Sequence, residues 1–234
     1  KKIRPSEVSV NEGSKFVGAV FLYVFAALAI TAVVAGIAGS ILRYGFGIDA
    51  VTDTYVTVLM IALILYIPTV IWIQVSALRR GKTLGPAFIF YSVIMGFLMS
   101  TFVAFIDFYT IALSFGVTCL AFGSMALIAW KTKKDLSPLA IIGLGLLLGA
   151  IMMSLVNTII TLITGFDSLT WIVSFAVLVA IVLITMVDLQ NVKRIGESGY
   201  GQKNIALLCA FNLYVDFIYI FIRVLGLIAR LRSK

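Results

Sequence analysis

Seven apolar runs, each long enough to cross a bilayer, leave this chain of 234 residues few folds to choose from. A transmembrane helix needs roughly 20 apolar residues. The runs Phe16–Leu42, Tyr55–Leu78, Pro86–Ile106, Tyr109–Trp130, Ser137–Ile163, Ser168–Gln190 and Asn204–Leu231 all reach that length. In hydrocarbon every backbone amide must be bonded within the protein, which leaves helices or a closed barrel. Barrel strands alternate polar and apolar residues over about ten positions, whereas these runs are apolar on every face and twice as long. The expected fold is therefore all-α, a polytopic membrane bundle of seven transmembrane helices. Composition agrees: 62% of residues are hydrophobic and 12% charged, against about half and a quarter in soluble domains. Residues 1–15 are polar and basic and are expected to form a mobile N-terminal segment ahead of a single transmembrane domain, residues 16–234. The apolar run that follows them is too long for the core of a signal peptide and has no A-x-A-like cleavage site followed by a soluble chain.

Local punctuation refines the helices. Pro86 and Pro138 fall in first turns, where a missing N–H costs nothing, while Pro68 inside the second run predicts a kink. Asp107 marks a tight connection between the third and fourth helices, and Asp167 or Ser168 is a candidate N-cap for the sixth. Small residues recur at Ala32, Gly36 and Ser40, and at Gly143, Gly145, Gly149 and Ala150. Such spacing lets helix backbones approach closely in lipid.

The net charge of +8 is distributed in short clusters between the apolar runs. Lys1, Lys2, Arg4 and Lys15 precede the first helix. Arg79, Arg80 and Lys82 follow the second, Lys131, Lys133 and Lys134 the fourth, and Lys193, Arg194 and Lys203 the sixth. The alternate loops hold only Arg43. This pattern puts the N-terminus in the cytoplasm and makes the lipid bilayer, not nucleic acid, the partner. The basic C-terminus (Arg230, Arg232, Lys234) argues with it, so the seventh run either crosses against the charge rule or re-enters. That run also holds Asn212, Asp216 and Arg223, which face lipid only at high cost, and it is expected at the centre of the bundle.

Histidine is absent, which removes His-based nucleophile pairs, zinc sites and proton relays. Cys119 and Cys209 lie in apolar runs without CxxC spacing and indicate neither a disulfide nor a metal. No tightly bound cofactor is expected. Of ten acidic residues, eight belong to loops or termini, and Asp188 and Asp216 remain inside the last two runs. An ionisable residue there costs at least ~2.5–3.5 kcal/mol on insertion scales. Counted from the connecting loop, Asp188 lies ~10 Å deep and Asp216 ~18 Å, so pairing is allowed but not demanded. Two carboxylates in contact cannot both ionise easily and titrate as a unit. Protonated, they share a hydrogen and join two helices. Ionised, they repel or bind a hard cation such as Ca²⁺, which makes Asp188 and Asp216 the candidate metal ligands. Plainer roles compete: Asp188 as part of a last polar turn with Gln190 and Asn191, Asp216 as the partner of Arg223 two turns along the same face, and Arg79 and Arg80 as interfacial anchors within reach of Asp188.

The segments M-V-D-L-Q-N-V-K-R-I (Met186–Ile195), L-Y-V-D-F-I-Y-I-F-I-R-V-L-G (Leu213–Gly226) and K-K-D-L-S (Lys133–Ser137) resemble the transmembrane Bax inhibitor motif family. The resemblance implies a central seventh helix wrapped by the other six. It also implies a pH-sensitive calcium leak channel whose gate is a di-aspartyl pair, here Asp188 and Asp216. An arginine at the cytoplasmic end of helix two partners the first aspartate in that family, and Arg79, then Arg80, matches it. The expected function is thus Ca²⁺ leak controlled by H⁺, without enzymatic activity, in the cell membrane if the source is bacterial. Alternatives are a proton- or cation-coupled transporter, a regulatory membrane scaffold, and an intramembrane aspartyl protease. The last lacks its Gly-x-Gly-Asp pattern, since the aspartates stand in Val187-Asp188 and Tyr214-Val215-Asp216.

Overall fold

In a computed structural model, the chain is described over residues 5–44, 51–78, 84–164, 170–198 and 203–232, the side chains of 5–12, 51–55, 78 and 164 excepted. Seven helices follow in order: α1 (Pro5–Tyr44), α2 (Val51–Leu78), α3 (Leu84–Phe105), α4 (Phe108–Lys131), α5 (Ser137–Thr164), α6 (Thr170–Glu197) and α7 (Lys203–Arg232). All seven are long and apolar enough to cross a membrane, and the described residues contain no strand.

Most boundaries fall where hydrophobicity changes, and two do not. Helix α1 begins at Pro5 and takes in much of the polar segment expected to stand apart. Helix α6 continues past Gln190 to Glu197, because Asn191, Val192, Lys193 and Arg194 keep a helical pattern after the apolar run ends. Helix α7 is unbroken from Lys203 to Arg232. At ~1.5 Å per residue it outspans a hydrocarbon core of about 30 Å. It does not turn back, so the re-entrant alternative falls. Half of its membrane window is buried, the largest share of the seven, against 11% for α5. The expected cap at Asp167 or Ser168 lies outside the described residues. Asp107 caps α4 instead of merely tightening a turn: its Oδ2 accepts the Thr110 amide (2.8 Å) and its Oδ1 the Thr110 hydroxyl (2.8 Å), satisfying a first-turn donor.

The chain divides into two compact units, residues 1–111 with 195–214, and residues 112–194 with 215–234. In the first, α1 lies close along α3. A Cβ on Gly96 would meet Val34 Cβ at 2.6 Å, and one on Gly39 would meet Val103 Cβ at 2.5 Å. These two glycines allow the backbones to approach. Gly36, the predicted packing residue, has nothing within 4 Å of such a Cβ. The beginning of α7 enters this unit through aromatic contacts: Phe88 and Tyr91 of α3 meet Phe211 and Tyr214 edge-on at 5.1–6.0 Å. Thr31 donates to the Ser92 carbonyl (3.0 Å) and lies 2.6 Å from the Tyr214 hydroxyl. With its one hydrogen given to Ser92, Thr31 accepts from Tyr214.

In the second unit Gly143 faces Ile184 and the Ala180 carbonyl of α6, while Gly145 and Gly149 face open space. Only the first of the three predicted glycines in α5 therefore packs a helix. Phe217 of α7 seats between Phe115 and Phe122 of α4, ring centroids 5.6 Å from each.

Candidate functional site

The second unit contains both membrane aspartates. Asp216 is the more deeply placed, 9% exposed, on the helix face that also buries Phe217 and Ile220. The aromatic seat around Phe217 fixes the rotation of α7 and so aims Asp216 toward α6. The Asp188 carboxylate is near enough to act on it electrostatically, and the Thr185 hydroxyl lies beside it. Thr185 and Asp188 are three residues apart and share a helix face. Asp216 Oδ2 is buried without a hydrogen-bond partner among the described residues. An orphan oxygen of this kind is uncommon in a folded protein and calls for an explanation such as an ion, a water or a proton in transit.

Thr185 sharpens that chemistry. Its hydroxyl bonds back to the Ile181 carbonyl at 2.8 Å and has a single hydrogen to give. A protonated Asp216 can donate to Thr185 while that bond stays intact. An ionised Asp216 has to take the hydrogen from Ile181 or go without.

The longer α6 also alters the depths. Asp188 stands nine residues before Glu197 and Asp216 thirteen after Lys203, or ~14 and ~20 Å along their helices. The offset falls to ~6 Å, and Asp188 is a half-buried residue well inside its helix rather than the end of a solvated last turn.

Other predicted residues fare differently. Arg223 forms no ion pair with Asp216; it is half-buried and lines a cavity with residues of α5 and α6. Asn212 is exposed, not central, because it shares a stripe with Tyr219 and Gly226, spaced by seven residues on the outer face of α7. Arg79 and Arg80 lie outside the described residues.

One feature escaped the sequence reading. The end of α6 holds the loop between α4 and α5. Gln190 is buried; its Oε1 accepts the Leu136 amide (2.9 Å) and its Nε2 donates to the Lys134 carbonyl (2.8 Å). Lys193 donates to the Trp130 carbonyl at 2.8 Å, near the C-terminus of α4 where a cation is favoured. Arg194 pairs with Asp135 at 2.6 Å. Asp135 also accepts the Ser137 amide and hydroxyl, and these bonds, followed by Arg194, lower its carboxyl from 3.8 to about 2. The segments K-K-D-L-S and Q-N-V-K-R thus meet two residues from Asp188. The Asp-x-Ser spacing signals the turn, but nothing in the sequence pairs it with Gln190.

Comparison with known proteins follows the same residues. The family model described as "Inhibitor of apoptosis-promoting Bax1" matches residues 13–233, both aspartate-bearing helices included. Inner membrane protein YbhL of Escherichia coli (strain K12) is 29% identical over 164 residues, 68% of each chain. A membrane protein of Streptococcus pyogenes serotype M1 is 30% identical over 164 residues, 68% of this chain and 69% of its own. A protein of Rickettsia prowazekii (strain Madrid E) is 30% identical over 128 residues, 53% of this chain and 52% of its own. With seven membrane-crossing helices and a match that runs almost from end to end, this integral, multi-pass membrane protein belongs to the Bax inhibitor motif family.

Proposed function

We propose that the protein is a pH-sensitive Ca²⁺ leak channel whose gate is the Asp188–Asp216 pair. The observation that carries this reading is the buried Asp216 with an unpartnered Oδ2, on a helix face where Asp188 acts on it. In the protonated state the two carboxyls tie α6 to α7 and offer no charge to a cation. Loss of the proton leaves two like charges in a poorly solvated site. They separate or take up a hard cation by its preference for oxygen ligands. Ca²⁺ is then cargo, H⁺ the controlling ligand, and no enzymatic step is needed. The resemblance to the family suggests Arg79 or Arg80, which follow α2 in the sequence, as a counter-charge to Asp188. The N-terminus faces the cytoplasm on the positive-inside pattern, and the bacterial relatives favour a cell-membrane location.

The test is Ca²⁺ flux into proteoliposomes as a function of pH. Wild type is expected to respond to pH. The double variant Asp188→Asn, Asp216→Asn is expected to lose that dependence, because neither amide titrates. Flux in the double variant with an unchanged pH profile overturns the gate.

A further inference from the structure

At the other end of the second unit, α5, α6 and α7 surround a cavity of about 190 Å³. Its lining includes Ser154 and Asn157 of α5, Thr170 and Ser174 of α6, and Arg223 of α7, and among the described residues no acid contributes. Among those residues Arg223 is the charged group. A guanidinium stays charged at any relevant pH and presents five donors in a planar fork suited to oxyanions. Unpaired cations within membrane spans are rare and usually mark a ligand or a pathway, and Arg223 has no ion pair among the described residues.

Ala150, Ile151, Val173 and Val177 make part of the remaining lining apolar, and the rest is neutral hydroxyl and amide. Thr170 is the first residue of α6 and Ser174 lies one turn on, at the end of a long helix where backbone amides and the helix dipole favour negative charge. Buried Asn157 donates to Thr170 Oγ1 at 2.9 Å, tying this end of α6 to α5. Ser154, exposed on α5, adds a hydroxyl at the rim.

Position and size narrow the ligand. Asn157 is seven residues from the end of α5 and Arg223 nine from the end of α7, ~10 and ~14 Å along their helices. The cavity therefore lies toward the membrane face where α5 ends and α6 begins, within reach of headgroups for a long side chain that can extend to the interface. Its volume is below the ~300–1,000 Å³ of typical small-molecule sites yet several times the ~30 Å³ share of one water. A headgroup-sized anion fits those limits.

We propose that this cavity binds a phosphate oxyanion, that of an anionic phospholipid headgroup, with Arg223 as its charged ligand. Asp216 lies two turns away on α7, ~10 Å along the axis, so occupancy here is separate from the aspartate gate.

The test is native mass spectrometry of the full-length protein with phosphatidylglycerol, phosphatidylcholine or inorganic phosphate. Wild type is expected to retain one phosphatidylglycerol in preference to phosphatidylcholine. Arg223→Ala is expected to reduce that retention roughly tenfold, the effect of one charge-assisted hydrogen bond, with partial recovery in Arg223→Lys. Ser174→Glu keeps the arginine but places a carboxylate in the cavity, and is expected to abolish the preference even if Arg223→Ala folds poorly. Binding of inorganic phosphate that is lost in both variants, without lipid preference, supports the oxyanion site and assigns it to free phosphate. Phosphatidylglycerol retention unchanged in both Arg223→Ala and Ser174→Glu overturns the proposal.

Discussion

Tyr214 and Asp216 are two residues apart on α7, yet their surroundings are opposite. Tyr214 ends the part of the helix that belongs to the first unit: it is fully buried, its ring meets Phe88 and Tyr91, and its hydroxyl bonds to Thr31. Asp216 is in the part that belongs to the second, with an oxygen that has no hydrogen-bond partner among the described residues, and Arg223 follows beside a cavity. The first part of the helix buries a tyrosine whose hydroxyl is hydrogen-bonded. The second buries a carboxylate oxygen that has no hydrogen-bond partner among the described residues. Close packing and satisfied polar groups resist movement, whereas a buried unsatisfied group favours any rearrangement or ligand that completes it. The contrast assigns anchoring to the first half of α7 and response to the second.

The largest expected effect attacks the packed side. Gly96→Leu forces a side chain against Val34, where even a Cβ has no room, and is expected to destabilise the protein by about 1–3 kcal/mol. Gly36→Leu, facing open space, is expected to cost little. Unfolding in detergent distinguishes them, and equal losses would remove the argument that α1 and α3 are locked by glycine.

A smaller effect tests the two neighbouring residues directly. Tyr214→Phe deletes a satisfied buried hydrogen bond, worth about 1 kcal/mol. Asp216→Asn keeps the volume and removes no bond from Oδ2, so its loss of stability is expected to be smaller. A greater loss at Asp216 than at Tyr214 reverses the contrast.

The smallest effect concerns the loop clamp, whose ion pair is exposed. Because folding lowers the Asp135 carboxyl from 3.8 to about 2, its stabilising contribution is complete above about pH 4 and is lost as pH falls through about 2. Wild type and Asp135→Asn should therefore differ slightly in unfolding temperature near pH 6 and converge in strong acid. A difference that grows on acidification contradicts the assignment.

Much of this architecture was legible from residue order. Helix placement was, because hydrocarbon leaves so few backbone solutions. Asp188 and Asp216 stood out because ionisable residues are costly in apolar runs. Other details were not legible. Gln190 reads as the polar end of a helix until the loop it holds is in view. Asn212 and Asp216 are equally polar and one turn apart, and only packing shows that the first is exposed and the second buried. The seven-residue spacing that invites an Asp216–Arg223 pair is real, but Arg223 faces residues of α5 and α6 instead.

The sequence by itself determined seven membrane helices, a basic and histidine-free chemistry, and two acids as the candidate gate. Each follows from the cost of moving backbone amides and charges into lipid, a cost set by residue type. Tertiary structure alone decided which glycines pack, which polar groups remain without partners, and where Arg223 lies. Those outcomes depend on the neighbour across each helix face, and helical spacing gives the face without naming the neighbour.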